Sequence, residues 1–330
     1  MIHPSLRNRM PSNQLMRRRD KPVARVRPFV PAVAMILMLT PACLAQLPAA
    51  SDEPITPIPQ AGALDARRAA LGAALFNDQL LSGNGKQKCA SCHDLKTNGA
   101  SRAGNDAGPD GKMLPVNTNT VFNASLSFRY NWSGNARTLE DQASMSLLRT
   151  DVMAITREQA VDRIRKEPGM VPLFRAAYGR DPDWDSLIGS IATFERTLVT
   201  PGGRFDLWLG GDSRALDQRE LVGYHLFKSI GCISCHQGVN IGGNLFERHG
   251  VVTPGKSSDN QIFRVPSLRN VAVTPPYFHD GRAATLDVAV REMASAQLGR
   301  ELTSSETLSI VAFLGTLTGR YQGQTLRAAQ

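Results

Sequence analysis

Cys89-Ala90-Ser91-Cys92-His93 and Cys232-Ile233-Ser234-Cys235-His236 are two copies of one pattern, C-x-x-C-H. This is the attachment signature of a c-type haem. The two thiols add to the porphyrin vinyl groups, and the histidine after the second thiol meets the iron as its proximal ligand. A thiol redox pair or a four-cysteine zinc ribbon would also use C-x-x-C. Ribbon pairs, however, lie close together in sequence, whereas here the whole stretch from Cys92 to Cys232 intervenes. Neither alternative calls for a histidine directly after each pair. The pattern therefore predicts two covalently bound haem c groups, with His93 and His236 as proximal ligands.

Around these motifs the 330 residues suffice for a leader and two ordinary domains. Four of the five cysteines belong to the motifs, so no structural disulfide is expected. The first 28 residues are basic, and an apolar run interrupted by Pro31 and Pro41 follows them to Ala45. That run is too short and broken for a membrane span, and it reads as an export signal covering residues 1–45, which places the protein in the periplasm. Thr40-Pro41-Ala42-Cys43 approximates a lipoprotein cleavage site, but Leu39 stands one place too early, so lipid anchoring is the lesser reading. The formal net charge of +9 belongs mostly to this leader. The remainder is near neutral without a basic tract, which argues against a nucleic-acid partner.

Residues 46–61 are rich in proline and read as an extended tether. A helix is expected from Leu64, with Leu71, Leu75 and Phe76 on one face. Residues 98–115 are Gly- and Asp-rich and read as a long loop over the first haem. Thr156 with Gln159 and Thr303 with Glu306 are capping boxes that open helices running to about Lys166 and Gly319. Further helices are expected over Leu187–Leu198 and Gln218–Lys228. Few segments alternate with strand period. The expected fold is mainly α, with two tandem cytochrome-c-like helical haem domains over residues 62–203 and 204–330.

Superposing the motifs exposes an internal duplication. Gly72-x-x-Leu75-Phe76 answers Gly223-x-x-Leu226-Phe227 before each motif. After each, Thr120-Val121-Phe122-Asn123 answers Ser267-Leu268-Arg269-Asn270, Trp132 answers His279, and Gly134 with Thr138-Leu139 answers Gly281 with Thr285-Leu286. The copies differ in ligand supply. In the second, Met293 is the expected sixth iron ligand, with His249 and His279 as competitors; His/Met ligation suits electron transfer. In the first, Ser146 answers Met293, and no histidine follows His93 until His225. That iron is either open or capped by Met113, Met145 or Met153, and the open state is the favoured reading. One saturated and one open haem describe an enzyme that draws electrons through one centre and uses them at the other.

These features, together with FERTLVTPGGRFDLWL (194–209), FRVPSLRNVAVTPPYFHDGRAATL (263–286) and REMASAQLG (291–299), resemble the bacterial di-haem cytochrome c peroxidases, a family that includes the di-haem methylamine-utilisation enzyme. The likeness runs from about Leu64 to Gly319. It implies a periplasmic enzyme that reduces hydrogen peroxide to water at the first haem, with electrons reaching the second from a small c-type cytochrome or a cupredoxin; a homodimer is compatible with it. The resemblance assigns Met293 as the sixth ligand of the electron-entry haem and Trp132 to the space between the haems. It assigns Gln142 to the peroxide pocket. It also places a calcium ion between the Asn117 side chain and the carbonyls of Thr274 and Pro276. Arg269 is read as a propionate partner, with a surface ion pair as the equal alternative.

Two departures from the family pattern stand out. The loop 98–115 carries no distal histidine. The distal acid position falls on Val152, which cannot move a proton, with Asp151 beside it. Peroxidase is the leading reading. An oxidase that modifies a partner protein and a non-enzymatic di-haem electron carrier are the alternatives.

Overall fold

The structure is a computed structural model that describes residues 53–101, 105–252 and 261–329. The expected export signal, residues 1–45, lies outside the described residues. Two sets of helices build the rest. The first comprises α1 (Ala66–Phe76), α2 (Cys89–Cys92), α3 (Leu139–Leu148), α4 (Arg157–Lys166), α5 (Met170–Tyr178) and α6 (Trp184–Glu195). The second comprises α7 (Arg204–Leu209), α8 (Gln218–Ser229), α9 (Leu286–Leu298) and α10 (Ser304–Gly315). Among the described residues, strands are confined to two short antiparallel ribbons, β1 (Phe246–Arg248) with β2 (Ile262–Arg264) and β3 (Arg320–Tyr321) with β4 (Gln324–Thr325), besides isolated bridges. No helix among the described residues is long and apolar enough to cross a membrane.

Local chemistry sets the helix starts. Thr156 and Gln159 cap α4 reciprocally, and Thr303 and Glu306 cap α10, as the sequence predicts. The helix expected over Leu187–Leu198 begins three residues earlier, because Asp183 and Ser186 form a capping box, and it ends at Glu195. The last helix stops at Gly315 rather than near Gly319, since the chain turns there to enter the β3–β4 hairpin.

The duplication is physical. Where α1 crosses α6, a Cβ on Gly72 would lie 2.0 Å from the Ser190 carbonyl oxygen and 2.7 Å from Phe194 Cβ. Where α8 crosses α10, a Cβ on Gly223 would lie 1.9 Å from the Ser309 carbonyl oxygen and 3.0 Å from Phe313 Cβ. Each half thus holds its outer helices at the closest backbone approach that glycine permits. Asn123 and Asn270 both take left-handed φ, 60° and 63°. The Oδ1 atom of Asn123 accepts from Thr200 N at 2.8 Å, and that of Asn270 accepts from Gly319 N at 2.9 Å. Each asparagine thereby pins the turn that follows the last helix of its own half.

The segment read as a tether is extended but docked. Ile55 is fully buried in the core of the second half with Phe205, Tyr224, Phe227 and Phe313. The Glu53 carboxylate accepts from Tyr224 Oη and from Lys228 Nζ, the latter at 2.9 Å. Gly238 N donates to the Pro54 carbonyl at 2.8 Å. Residues 53–58 are therefore a strap across the second half.

Candidate functional site

In the first motif, Cys89–Cys92 is one helical turn, and His93 N closes it on the Cys89 carbonyl at 2.9 Å. In the second, a 3-10 turn at Cys232–Ser234 does the same, with His236 N on the Cys232 carbonyl at 3.1 Å. For the second motif, both thiols and the imidazole line one cavity. All four cysteines are free thiols. Burial pushes Cys89 and Cys92 up to about 12 and Cys232 up to about 11. Thiols held protonated in this way are poor redox nucleophiles. The two pairs are not brought together, and no cluster of three or more His, Cys, Asp or Glu suited to a metal occurs among the described residues. The zinc-ribbon alternative therefore has no structural counterpart.

Each histidine is oriented the same way. His93 Nδ1 lies 3.2 Å from the Gly99 carbonyl, and His236 Nδ1 lies 3.1 Å from the Ile241 carbonyl. Donation from Nδ1 fixes the tautomer and leaves Nε2 with its lone pair, as an iron ligand requires. Burial lowers both pKa values, that of His236 to about 4, so both rings are neutral at pH 7. Phe76 and Phe227 stand beside them at matching centroid distances of 6.4 and 6.3 Å. A Cβ on Gly242 would strike the Pro266 carbonyl at 2.2 Å and come within 3.4 Å of His236 Nδ1, so only glycine lets the loop close behind that ring. One cavity is lined by both histidines and by Cys232 and Cys235, a donor set of the kind haem c requires, while Cys89 packs beside it against the cluster of Phe76 and Phe194.

Met293 lines this cavity, and it is the only methionine that does so among the described residues. His279 lines it too, stacked on Phe263 at 4.2 Å. His249 is engaged by Arg282, whose Nη2 lies 3.1 Å from its Nε2. Of the first-half methionines, Met113 is exposed and Met153 packs in the helical core with Leu81 and Leu147. Met145 does not line the cavity. Gln142 does, and its Nε2 donates to Ser146 Oγ at 3.0 Å.

Between the halves, answering residues meet. Trp132 and His279 touch edge to face at 6.3 Å. Asn117 N donates to the His279 carbonyl at 2.7 Å, and Arg264 N donates to the Trp132 carbonyl at 2.8 Å. These two bonds are mates under the repeat, since Asn117 answers Arg264. Trp132 Nε1 is fixed on the Asn117 carbonyl at 2.8 Å. The side chains follow suit. Asn117 Nδ2 reaches the carbonyls of Pro276 at 2.7 Å and Phe278 at 3.3 Å, whereas Arg264 Nε reaches that of Asn131 at 3.2 Å. Where the second half carries a guanidinium, the first carries a neutral amide.

Arg269 lines the same cavity. It is fully buried, and its guanidinium donates to Asp206 Oδ1, the Thr56 carbonyl and the Val239 carbonyl at 2.7, 2.7 and 2.8 Å. The surface ion pair of the sequence reading is not formed; the pair lies in the interior, where it clamps the strap. Asp151 does not supply the acid missing at Val152. Its carboxylate forms a two-pronged pair with Arg149 at 2.9 and 2.6 Å on the exposed face. Two acids line the cavity, Glu247 of β1 from the second half and, from the first half, Glu195 at the C-terminal end of α6. Glu195 went unnoticed within the string FERTL. Comparison with Phe313-Leu314-Gly315, the answering triplet on α10, was the signal available.

A profile of the family described as "Di-haem cytochrome c peroxidase" matches residues 66–214. The cytochrome c551 peroxidase of Nitrosomonas europaea is 41% identical over 285 residues, covering 82% of this chain and 85% of that protein. The chain belongs to the di-haem cytochrome c peroxidase family. The methylamine utilization protein MauG of Methylorubrum extorquens is 32% identical over 298 residues, covering 82% of this chain and 83% of that one. A crystal structure of a MauG-like protein associated with microbial copper homeostasis superposes with a TM-score of 0.71 at 25% identity, covering 83% of this chain and 95% of that one. This di-haem cytochrome c peroxidase family member is thus an oxidoreductase of mainly helical fold with haem c as its cofactor.

Proposed function

We propose that this chain is a periplasmic di-haem peroxidase that reduces hydrogen peroxide to water with electrons from a small c-type cytochrome or a cupredoxin. The observation that carries the reading is the asymmetry of the shared cavity. The second half contributes Met293 to its lining, while the first half contributes Gln142 and Glu195 and, among the described residues, no methionine and no histidine besides His93. When bound, the haem at the second motif supplies electron relay and the haem at the first supplies peroxide reduction. The chain's own groups define the two compartments. His236 and Met293 would hold the iron of the relay haem. Gln142, tethered to Ser146, is a hydrogen-bonding group for a peroxide oxygen. Trp132, locked by its indole N–H and in contact with His279, fills the space between compartments.

Calcium belongs to the same proposal. The Asn117 amide and the Pro276 carbonyl converge, and Thr274 lines the same cavity. Turned over, the amide presents oxygen to that point, and neutral oxygens completed by water suit Ca2+.

The test is stopped-flow mixing of the haem-loaded protein with reduced donor cytochrome and peroxide. Rapid donor oxidation that depends on peroxide is expected. Oxidation no faster than with a single-haem carrier cytochrome would overturn the reading.

A further inference from the structure

Glu195 is only 5% exposed, and its Oε2 is buried without a hydrogen-bond partner. An orphaned buried carboxyl oxygen is costly and calls for an explanation. It lines the cavity with His93, Leu139, Gln142 and Tyr130. The duplication sharpens the point. Ser190 and Phe194 answer Ser309 and Phe313 in the two glycine crossings, so Glu195 answers Leu314. Leu314 is buried in the second core, as an apolar haem crevice requires. The first compartment carries an ionisable acid at the very position where the second carries a leucine.

Resting on the peroxidase reading above, we propose that Glu195 is the proton-holding acid of the first haem compartment and yields its proton as peroxide is reduced there. Per peroxide, the O–O bond breaks and two O–H bonds form. The donor protein supplies two electrons, Glu195 supplies one proton and solvent the other, and the carboxylate is then re-protonated from solvent. The acid would thus stand in for the carboxylate that Val152 lacks.

The surroundings keep the proton on. Burial raises the Glu195 pKa to about 8, the Glu140 carboxylate adds to this, and Arg196 opposes it. Arg196 is turned to the partly exposed side and paired with Glu140 of α3 at 2.8 Å, so it does not neutralise the buried acid. Tyr130 faces Glu195 as a neutral phenol, its pKa raised by burial, and Cys89 of α2 is bound in thioether linkage once haem is attached. The charged residues of α1, Arg67 and Arg68, sit at its far end, on the Ala176 carbonyl and the Tyr178 ring. An acid poised near the working pH is the kind that general-acid catalysis uses.

The experiment compares the haem-loaded parent with Glu195→Gln and with Glu195→Leu, which copies the second half. The first readout is the midpoint potential of the first haem, followed spectroscopically from pH 6 to 9, with the second haem as internal control. The parent potential should fall with pH between the pKa values of the acid with the first haem oxidised and with it reduced, within that range, and both variants should lose that slope. Peroxide turnover at pH 7 should fall at least about tenfold in both. An unchanged slope in either folded variant overturns the proposal. If the parent shows no peroxide turnover, the peroxidase reading fails while the slope still decides the role of Glu195. An infrared difference spectrum of the parent on reduction of the first haem needs no variant. It should show a perturbed protonated-carboxyl stretch, and a spectrum without one overturns the proposal.

Discussion

Asp151 follows directly on Arg149-Thr150 and adjoins Val152, yet its carboxylate is drawn outward by Arg149, whereas Glu195, distant in sequence, is delivered into the cavity by the end of α6. Direction, which sequence adjacency does not convey, separates the two acids. The buried acid has a stability signature. Between about 4.5, its ordinary value, and about 8, the folded state keeps a proton that the unfolded chain has released. Stability should therefore fall as pH rises through that window, and Glu195→Gln should remove this component of the fall. Guanidinium denaturation at pH 5, 6.5 and 8 checks it. The Arg269–Asp206 pair gives a second prediction. Asp206→Asn leaves a buried guanidinium without its carboxylate and should cost about 3–5 kcal/mol, whereas Arg269→Met with Asp206→Leu should recover much of the loss. Chemical denaturation midpoints of the three proteins decide it.

Helices α1 and α8 each meet their partner through a single glycine, so one methyl group is enough to separate them. Gly72→Ala places a Cβ 2.0 Å from a carbonyl oxygen that cannot yield without shifting α6. It should cost at least about 1–3 kcal/mol. Gly223→Ala should cost as much at the α8–α10 crossing. Retention of the parental thermal midpoint by either variant would contradict the crossing geometry. The strap makes a further prediction. Ile55→Ala empties a fully buried site in the second core and should cost about 2–5 kcal/mol, read from denaturant unfolding. Sequence marked the glycines by repetition and the helix starts by their caps. It gave no sign that residues 53–58 were docked, because proline-rich chain carries no periodicity, and its partners, Tyr224 and Arg269, lie far along the sequence. Helix α5, with Pro172 in its first turn, was missed for a related reason: a short helix opened by a glycine has neither a side-chain cap nor length to announce it.

At the scale of the whole molecule, the duplication was the most legible feature, since both haem motifs and the answering Gly, Asn and aromatic positions follow in the same order, with equal spacing from Asn123 and Asn270 onward. What remained hidden was how the copies face each other. The pairing of the Asn117 and Arg264 amides with the opposite half's His279 and Trp132 carbonyls depends on a pseudo-twofold arrangement that no local pattern encodes. The arrangement predicts coupled behaviour. Trp132→Ala removes both the indole bond to Asn117 and the His279 contact, and should slow peroxide-dependent donor oxidation while leaving the spectra of both haems in place. Rapid-mixing kinetics with spectra of the isolated variant test this. The strap has one more consequence. The earliest part of the described chain finds its seat only on the latest part to be synthesised, so the polypeptide closes on itself like a belt whose tongue is threaded last. Cutting between the halves would then strand residues 53–58 on the wrong fragment, and a separately made 204–330 piece should gain order when a short peptide of that sequence is added.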